Sequence, residues 1–242
     1  MKKLLSIALC AAAITSFADD PSAEIADLGV TVVTIPANQT NTIIAASFND
    51  VATPANGVSI NNLIKTATGL AKDDQLMIIR NGSYQTWKWS GTAWEKPTTV
   101  GESSSALDPT TTVTQGEGIW FVRSTATSQV TLVLYGAYAS AASATVSAGK
   151  WALIGNPTVA DFSFDGKGAK GDQIIAVSSG SLKTYLRKSS QWKSTTDGVT
   201  FTVGAPTVAP GVGIWYYSAS GTTIDWAGTD SLTSKKADNQ KN

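Results

Sequence analysis

Residues 71–96, AKDDQLMIIRNGSYQTWKWSGTAWEK, align without a gap on residues 169–194, AKGDQIIAVSSGSLKTYLRKSSQWKS. Eight of the 26 positions are identical, among them Asp74 and Asp172, Gly82 and Gly180, Thr86 and Thr184, and Trp94 and Trp192. The phrase GEGIWF at 116–121 returns as GVGIWY at 211–216. The chain therefore reads as an internal duplication, in which residues kept in both copies are best explained by a shared fold. Each aligned stretch holds two β-type runs, 75–80 and 84–89 in one, 173–178 and 182–187 in the other. Asn81-Gly82 and Ser179-Gly180 stand between the runs as two-residue hairpin turns, where glycine accepts positive φ.

Further β-type runs fall at 30–35, 42–47, 119–124 and 129–135, then at 150–155, 199–203, 213–218 and 222–226. Thr, Ser, Ala, Val and Gly are abundant, and charged residues make up only 15% of the chain. Such a composition suits pleated surfaces joined by glycine, asparagine and proline turns. The expected fold is all-β: two tandem related antiparallel β-sandwich or barrel-like repeats, at 19–138 and 149–228, with a linker at 139–148. The alternative is one pseudo-symmetric body in which strands cross between the copies.

VTVVTIP at 30–36 and WALIGNP at 151–157 read as the opening strands of the copies, which gives the first an insertion over about 37–70. Within it Ile60, Leu63, Ile64 and Ala67 fall at i, i+3, i+4 and i+7. Ser59 precedes them as an N-cap and Gly69 follows as a stop, predicting one short amphipathic helix.

The first eighteen residues carry Lys2 and Lys3, the apolar run Leu4–Ile14, and then Ser16-Phe17-Ala18. This is the pattern of a secretory signal peptide, with cleavage expected after Ala18 and export to the periplasm, cell surface or medium. Cys10, the one cysteine, lies inside the apolar run and goes with the leader. No later segment approaches the ~18–20 apolar residues of a spanning helix. The stretch 229–242, TDSLTSKKADNQKN, is polar and reads as a disordered tail.

With the leader removed, 16 basic residues face 18 acidic ones, a net charge of about −2 with no basic cluster. That balance offers no footprint for nucleic acid or anionic lipid. The chain contains no histidine. Ser-His-Asp and Cys-His catalysis are excluded, as are His-ligated and thiolate metal sites in the mature chain, and no metal or cofactor is expected.

GDQI at 171–174, a hairpin with Gly180 and Tyr185, Trp192 and then PGVGIW at 210–215 together resemble the β-rich repeat modules of secreted bacterial surface proteins. Such modules commonly open with a WxLxGNP-like strand, matched by Trp151–Pro157, and close with a PGxGFW-like strand. The resemblance covers most of 150–227 and, more loosely, 29–136. It implies an exported, non-catalytic surface or matrix component. The first copy departs from the pattern, with Lys72-Asp73-Asp74 for the GD pair and Gln115-Gly116 for the PG pair.

Asp74 and Asp172 stand just before equivalent strands. Glycosidase carboxylates need separations of ~5 Å or ~6.5–9.5 Å, whereas a carboxylate repeated once per copy reads as a turn cap. Asp161, Asp165 and Asp172 bracket DGKGAKGD, but Lys167 and Lys170 oppose a calcium site there. Ser190 and Lys193 have the S-x-x-K spacing of acyl enzymes, in a strand or turn where Lys does not project beside Ser.

Trp94, Trp192, Trp120 and Trp215, shared by both copies, read as structural core. Trp87 and Trp89 share one strand face. Their counterparts Tyr185 and Arg187, with Lys183, make that face polar in the second copy, with Leu182 and Leu186 inward. Trp87 and Trp89 are thus the candidate ligand-binding pair, exposed for stacking on a polysaccharide or insertion into another envelope or surface protein. The alternative is that the insertion covers them. The function expected is an exported non-enzymatic surface, matrix or assembly protein, open to oligomerisation, with carbohydrate binding as the alternative and a glycoside hydrolase third.

Overall fold

The computed structural model describes residues 28–48, 57–80, 83–95, 112–137, 142–158, 160–178, 181–195, 197 and 199–226. The leader with Cys10, the stretch from Thr229, and the turn pairs Asn81-Gly82 and Ser179-Gly180 lie outside these residues. The protein is all-β, built from antiparallel sheets. Among the described residues no sheet closes into a barrel, because each ends in two edge strands.

In the N-terminal half, β1 (Leu28–Ile35), β10 (Val130–Ala137) and β4 (Ile64–Thr68) form one sheet in the order β1-β10-β4. It faces a second sheet of β2 (Asn41–Ala45), β9 (Gly118–Val122), β5 (Gln75–Arg80), β6 (Ser83–Trp89) and β7 (Trp94–Glu95), in the order β2-β9-β5-β6-β7. The short strands β3 (Val58–Ser59) and β8 (Thr112–Val113) pair beside them. Period-two alternation sends Leu132 and Leu134 from one sheet, and Leu76, Ile78, Ile119 and Phe121 from the other, into a shared core. Each such side chain contributes roughly 1.5–3 kcal/mol on full burial.

The C-terminal half repeats this order of pairing. Its large sheet runs β12 (Lys150–Gly155), β19 (Gly213–Ser218), β14 (Gln173–Ser178), β15 (Ser181–Lys188), β16 (Gln191–Thr195) and β17 (Thr202–Val203). β11 (Ser143–Val146) pairs with β20 (Thr222–Asp225), and β13 (Phe162–Ser163) with β18 (Thr207–Val208). Phe164, Ile174, Trp192, Ile214, Tyr216, Ile224 and Trp226 fill the core between them.

Four expectations change. The helical period holds for a single turn, Ile60–Leu63, where the Ser59 hydroxyl accepts from the Asn62 amide at 3.3 Å. Ile64–Thr68 then pairs with β10, so Ala67 lies on a strand; β-branched Ile64, Thr66 and Thr68 favour the ladder. Within 199–203 only Thr202–Val203 is a strand. The two proline-ended phrases also stand in different places: WALIG lies on β12 beside GIWYY, the position that NTIIA of β2 holds beside GIWFV. VTVVTI is β1, in the other sheet, and strand β11 falls in the stretch read as linker.

The halves meet along β2 and β12, each an edge strand of its large sheet. The Ala45 amide donates to the Gly211 carbonyl at 2.9 Å, and the Gly155 amide donates to the Gly116 carbonyl at 2.8 Å. Isolated bridges join Ile44 to Val212 and Ile154 to Glu117 in the same reciprocal fashion. The approach leaves no room for side chains: a Cβ added at Gly155 would lie 2.4 Å from that of Ala45, and one at Gly118 2.9 Å from the Ile154 backbone. Each edge, otherwise a template for aggregation, is thereby capped by the residues that lead into β19 or β9 of the other half.

Candidate functional site

The strand alternation that buries Ile119 and Phe121 turns Trp120, between them, to the opposite face of the sheet. Ile214 and Tyr216 do the same for Trp215. Both tryptophans are half-buried rather than core, and the two indoles meet across the junction with ring centroids 5.5 Å apart and planes at 77°. Trp215 also receives Tyr84 from the N-terminal half, at 6.0 Å, and Trp151 from β12, at 6.4 Å. Trp151 in turn lies 5.4 Å from Tyr217.

The Trp120, Trp215 and Trp151 rings form the floor and one end of an open cleft of about 580 Å³. The two long hairpins, β5–β6 and β14–β15, flank it, offering Ile79 and Tyr84 from one and Val177 and Leu182 from the other. Tyr84 is 56% exposed and Leu182 59%. Holding such side chains in water forgoes apolar burial, and contiguous exposed apolar groups mark binding surfaces. The polar side chains of the lining are Asn41 and Lys150, together with the Tyr84 hydroxyl; no carboxylate is among the described residues that line it.

The expected aromatic pair lies elsewhere. Trp87 is buried, at 2% exposure, and its strand partner is core residue Leu76. Trp89 is half-buried and packs on Trp94 with centroids 5.3 Å apart. The expected faces of β15 are inverted: Leu182 is at the cleft rim, while Arg187 is buried. The Arg187 guanidinium donates to the Ser190 carbonyl and sits 5.9 Å from the Trp192 ring, so a charged residue occupies the inner face. Trp94 and Trp192 are interior, and the Trp192 Nε1 donates to the Phe164 and Lys167 carbonyls, each at 3.0 Å.

Asp74 and Asp172 are fully buried and hold turns. Asp74 accepts from the Ala71 amide at 2.9 Å, and from the Ser124 amide and hydroxyl at 2.8 and 3.0 Å. Asp172 accepts from the Ala169 and Ala219 amides at 2.7 and 2.8 Å and from the Tyr216 hydroxyl at 2.5 Å. Burial, then the bond to Asp172, hold the Tyr216 hydroxyl well above the ordinary tyrosine range. With its oxygens so occupied, Asp172 does not join Asp161 and Asp165, which are exposed. Among the described residues no cluster of three metal-ligating side chains occurs, and no helix is long and apolar enough to cross a membrane.

Reading Trp120 and Trp215 as core missed the cleft. The phrase Gly118-Ile119-Trp120-Phe121 sets Trp120 on the face opposite Ile119 and Phe121, but all three are apolar and the phrase does not say which face is the core. No protein-family model, curated protein or solved structure matches the chain.

Proposed function

We propose that the chain is an exported, non-enzymatic surface or assembly protein, in which a β module occurs twice and the two copies share one ligand-binding cleft. The observation that carries this reading is the half-buried Trp120–Trp215 pair, set between two hairpins whose exposed Tyr84 and Leu182 await a partner surface. Support for the duplication comes from the matching sheet orders and from the reciprocal backbone bonds at Ala45 and Gly155. A binding role rather than an acid–base one is favoured because the buried aspartates cap turns and no carboxylate is among the described residues lining the cleft. Export rests on the leader at 1–18 and on the surface-module resemblance.

The test has two arms. The chain expressed from its own leader is fractionated and its mature mass determined, and the purified product is titrated with panels of glycans and amphiphiles while tryptophan emission is followed. Export with cleavage after Ala18, and an emission change to at least one class that Trp215→Ala abolishes, is the expected result. Retention of the uncut chain in the cytoplasm, or silence towards every class, would overturn the proposal.

A further inference from the structure

We infer that the cleft takes an amphipathic organic anion, its apolar body on Trp120 and Trp215 and its acid group at Lys150. The inference rests on the binding reading above and adds the chemical class of the ligand.

Three features of the lining select that class. The first is the angle between the floor rings. At 77° the two indoles make a trough, not the flat platform on which a sugar ring stacks, and a hydrocarbon chain or a wedge-shaped aromatic group fills a trough best. The second is the balance of side chains. The walls are aliphatic, with Ile79, Ile175, Val177 and Leu182, and beyond the indole N–H groups of the three tryptophans the hydrogen-bonding side chains are only Asn41, Lys150 and Tyr84. A saccharide would leave most of its hydroxyls facing apolar walls, at the cost of unpaired polar groups. A mostly apolar lining with a few placed polar groups is the usual form of a small-molecule site, and about 580 Å³ lies within the usual range of ~300–1,000 Å³.

The third feature is the sign of the charge. Lys150 is the one charged side chain among the described residues of the lining, and it follows Gly149 at the Trp151 end. An exposed ammonium beside an apolar trough pairs with a terminal carboxylate or sulfonate while the body of the ligand covers the aromatic floor.

The experiment uses the mature full chain with 1-anilinonaphthalene-8-sulfonate as a fluorescent probe, displaced by dodecanoate, by neutral dodecanol, or by a neutral oligosaccharide. Dodecanoate is expected to displace the probe at lower concentration than dodecanol. Lys150→Glu should weaken dodecanoate by about fivefold and leave dodecanol unchanged. Leu182→Ser, on an exposed rim residue that spares the fold, should weaken both, with the thermal midpoint as a check on folding. Equal displacement by the acid and the alcohol, indifference to Lys150→Glu, or stronger displacement by the oligosaccharide would each overturn the inference while leaving a binding cleft standing. Failure of every ligand to bind would remove the cleft reading as well.

Discussion

Trp120 and Trp215 hold the same place in their sheets, and their rings meet edge to face 5.5 Å apart. Trp120 lies between Ile43 of β2 and Met77 of β5; Trp215 lies between Leu153 of β12 and Ile175 of β14. The contact thus couples the halves through side chains on the face opposite both cores. A double-mutant cycle of Trp120→Ala and Trp215→Ala, read by urea unfolding, should return a coupling of about 0.5–1.5 kcal/mol. Strict additivity would mean that the rings touch without stabilising the junction.

The backbone approach at the junction makes a sharper demand. In Gly118→Ala the new methyl would sit 2.9 Å from the Ile154 amide nitrogen and carbonyl oxygen. Overpacking against backbone costs about 1–3 kcal/mol. Gly204→Ala, where nothing lies within 4 Å of an added Cβ, serves as the control and should be near neutral. Similar denaturation midpoints for the two variants would contradict the close approach.

The buried pair of Tyr216 and Asp172 sets an alkaline limit on stability. The folded state holds the Tyr216 proton more tightly than the unfolded chain, whose tyrosine titrates near 10. Below about pH 10 both states carry the proton and the stabilisation is fully present; above it the unfolded state loses the proton first, so stability falls as pH rises. Tyr216→Phe should cost about 1.5–3 kcal/mol at neutral pH and flatten the decline. Urea midpoints measured across the neutral-to-alkaline range check both, and an unchanged alkaline slope would refute the assignment.

Ser124 supplies to Asp74 what Tyr216 supplies to Asp172, a hydroxyl donor on the buried carboxylate. At the place of Ser124 the second half has Ala219, whose amide already reaches Asp172. Adding Ala219→Ser to Tyr216→Phe should therefore recover about 0.5–1.5 kcal/mol. The same substitution in the parent chain, where the carboxylate already accepts from the Tyr216 hydroxyl at its other oxygen, should gain less. Equal gains in both backgrounds would show that the two hydroxyls do not substitute for one another.

The all-β character was legible in the sequence, and Gln75–Arg80 and Gln173–Ser178 are strands at the residues where β-branched enrichment puts them. The two-residue strands, such as Thr112–Val113, carry too few residues for any period to register. Ser143–Val146 reads as linker because its side chains are small and its alternation faint. The cleft stayed hidden for a different reason. In Ile119-Trp120-Phe121 every residue is apolar, so alternation separates two faces without saying which is the core. Arg187 added an error of sign, since a guanidinium stacked on Trp192 and bonded to a carbonyl can lie inside.

The reciprocal exchange of backbone bonds at Ala45 and Gly155 also bears on what the connection between the halves accomplishes. A chain cut between Ala137 and Ala142 yields two fragments, each with its own apolar core and one newly uncovered strand edge, β2 or β12. Each edge fits the other half through small residues, Gly155 against Ala45 and Gly118 against the Ile154 backbone. Covalent continuity then acts chiefly as a local concentration, keeping each half beside the surface that shields it from precipitation. The same design makes the molecule a natural candidate for complementation, with two separately synthesised pieces restoring one body and, with it, the cleft that neither piece contains alone.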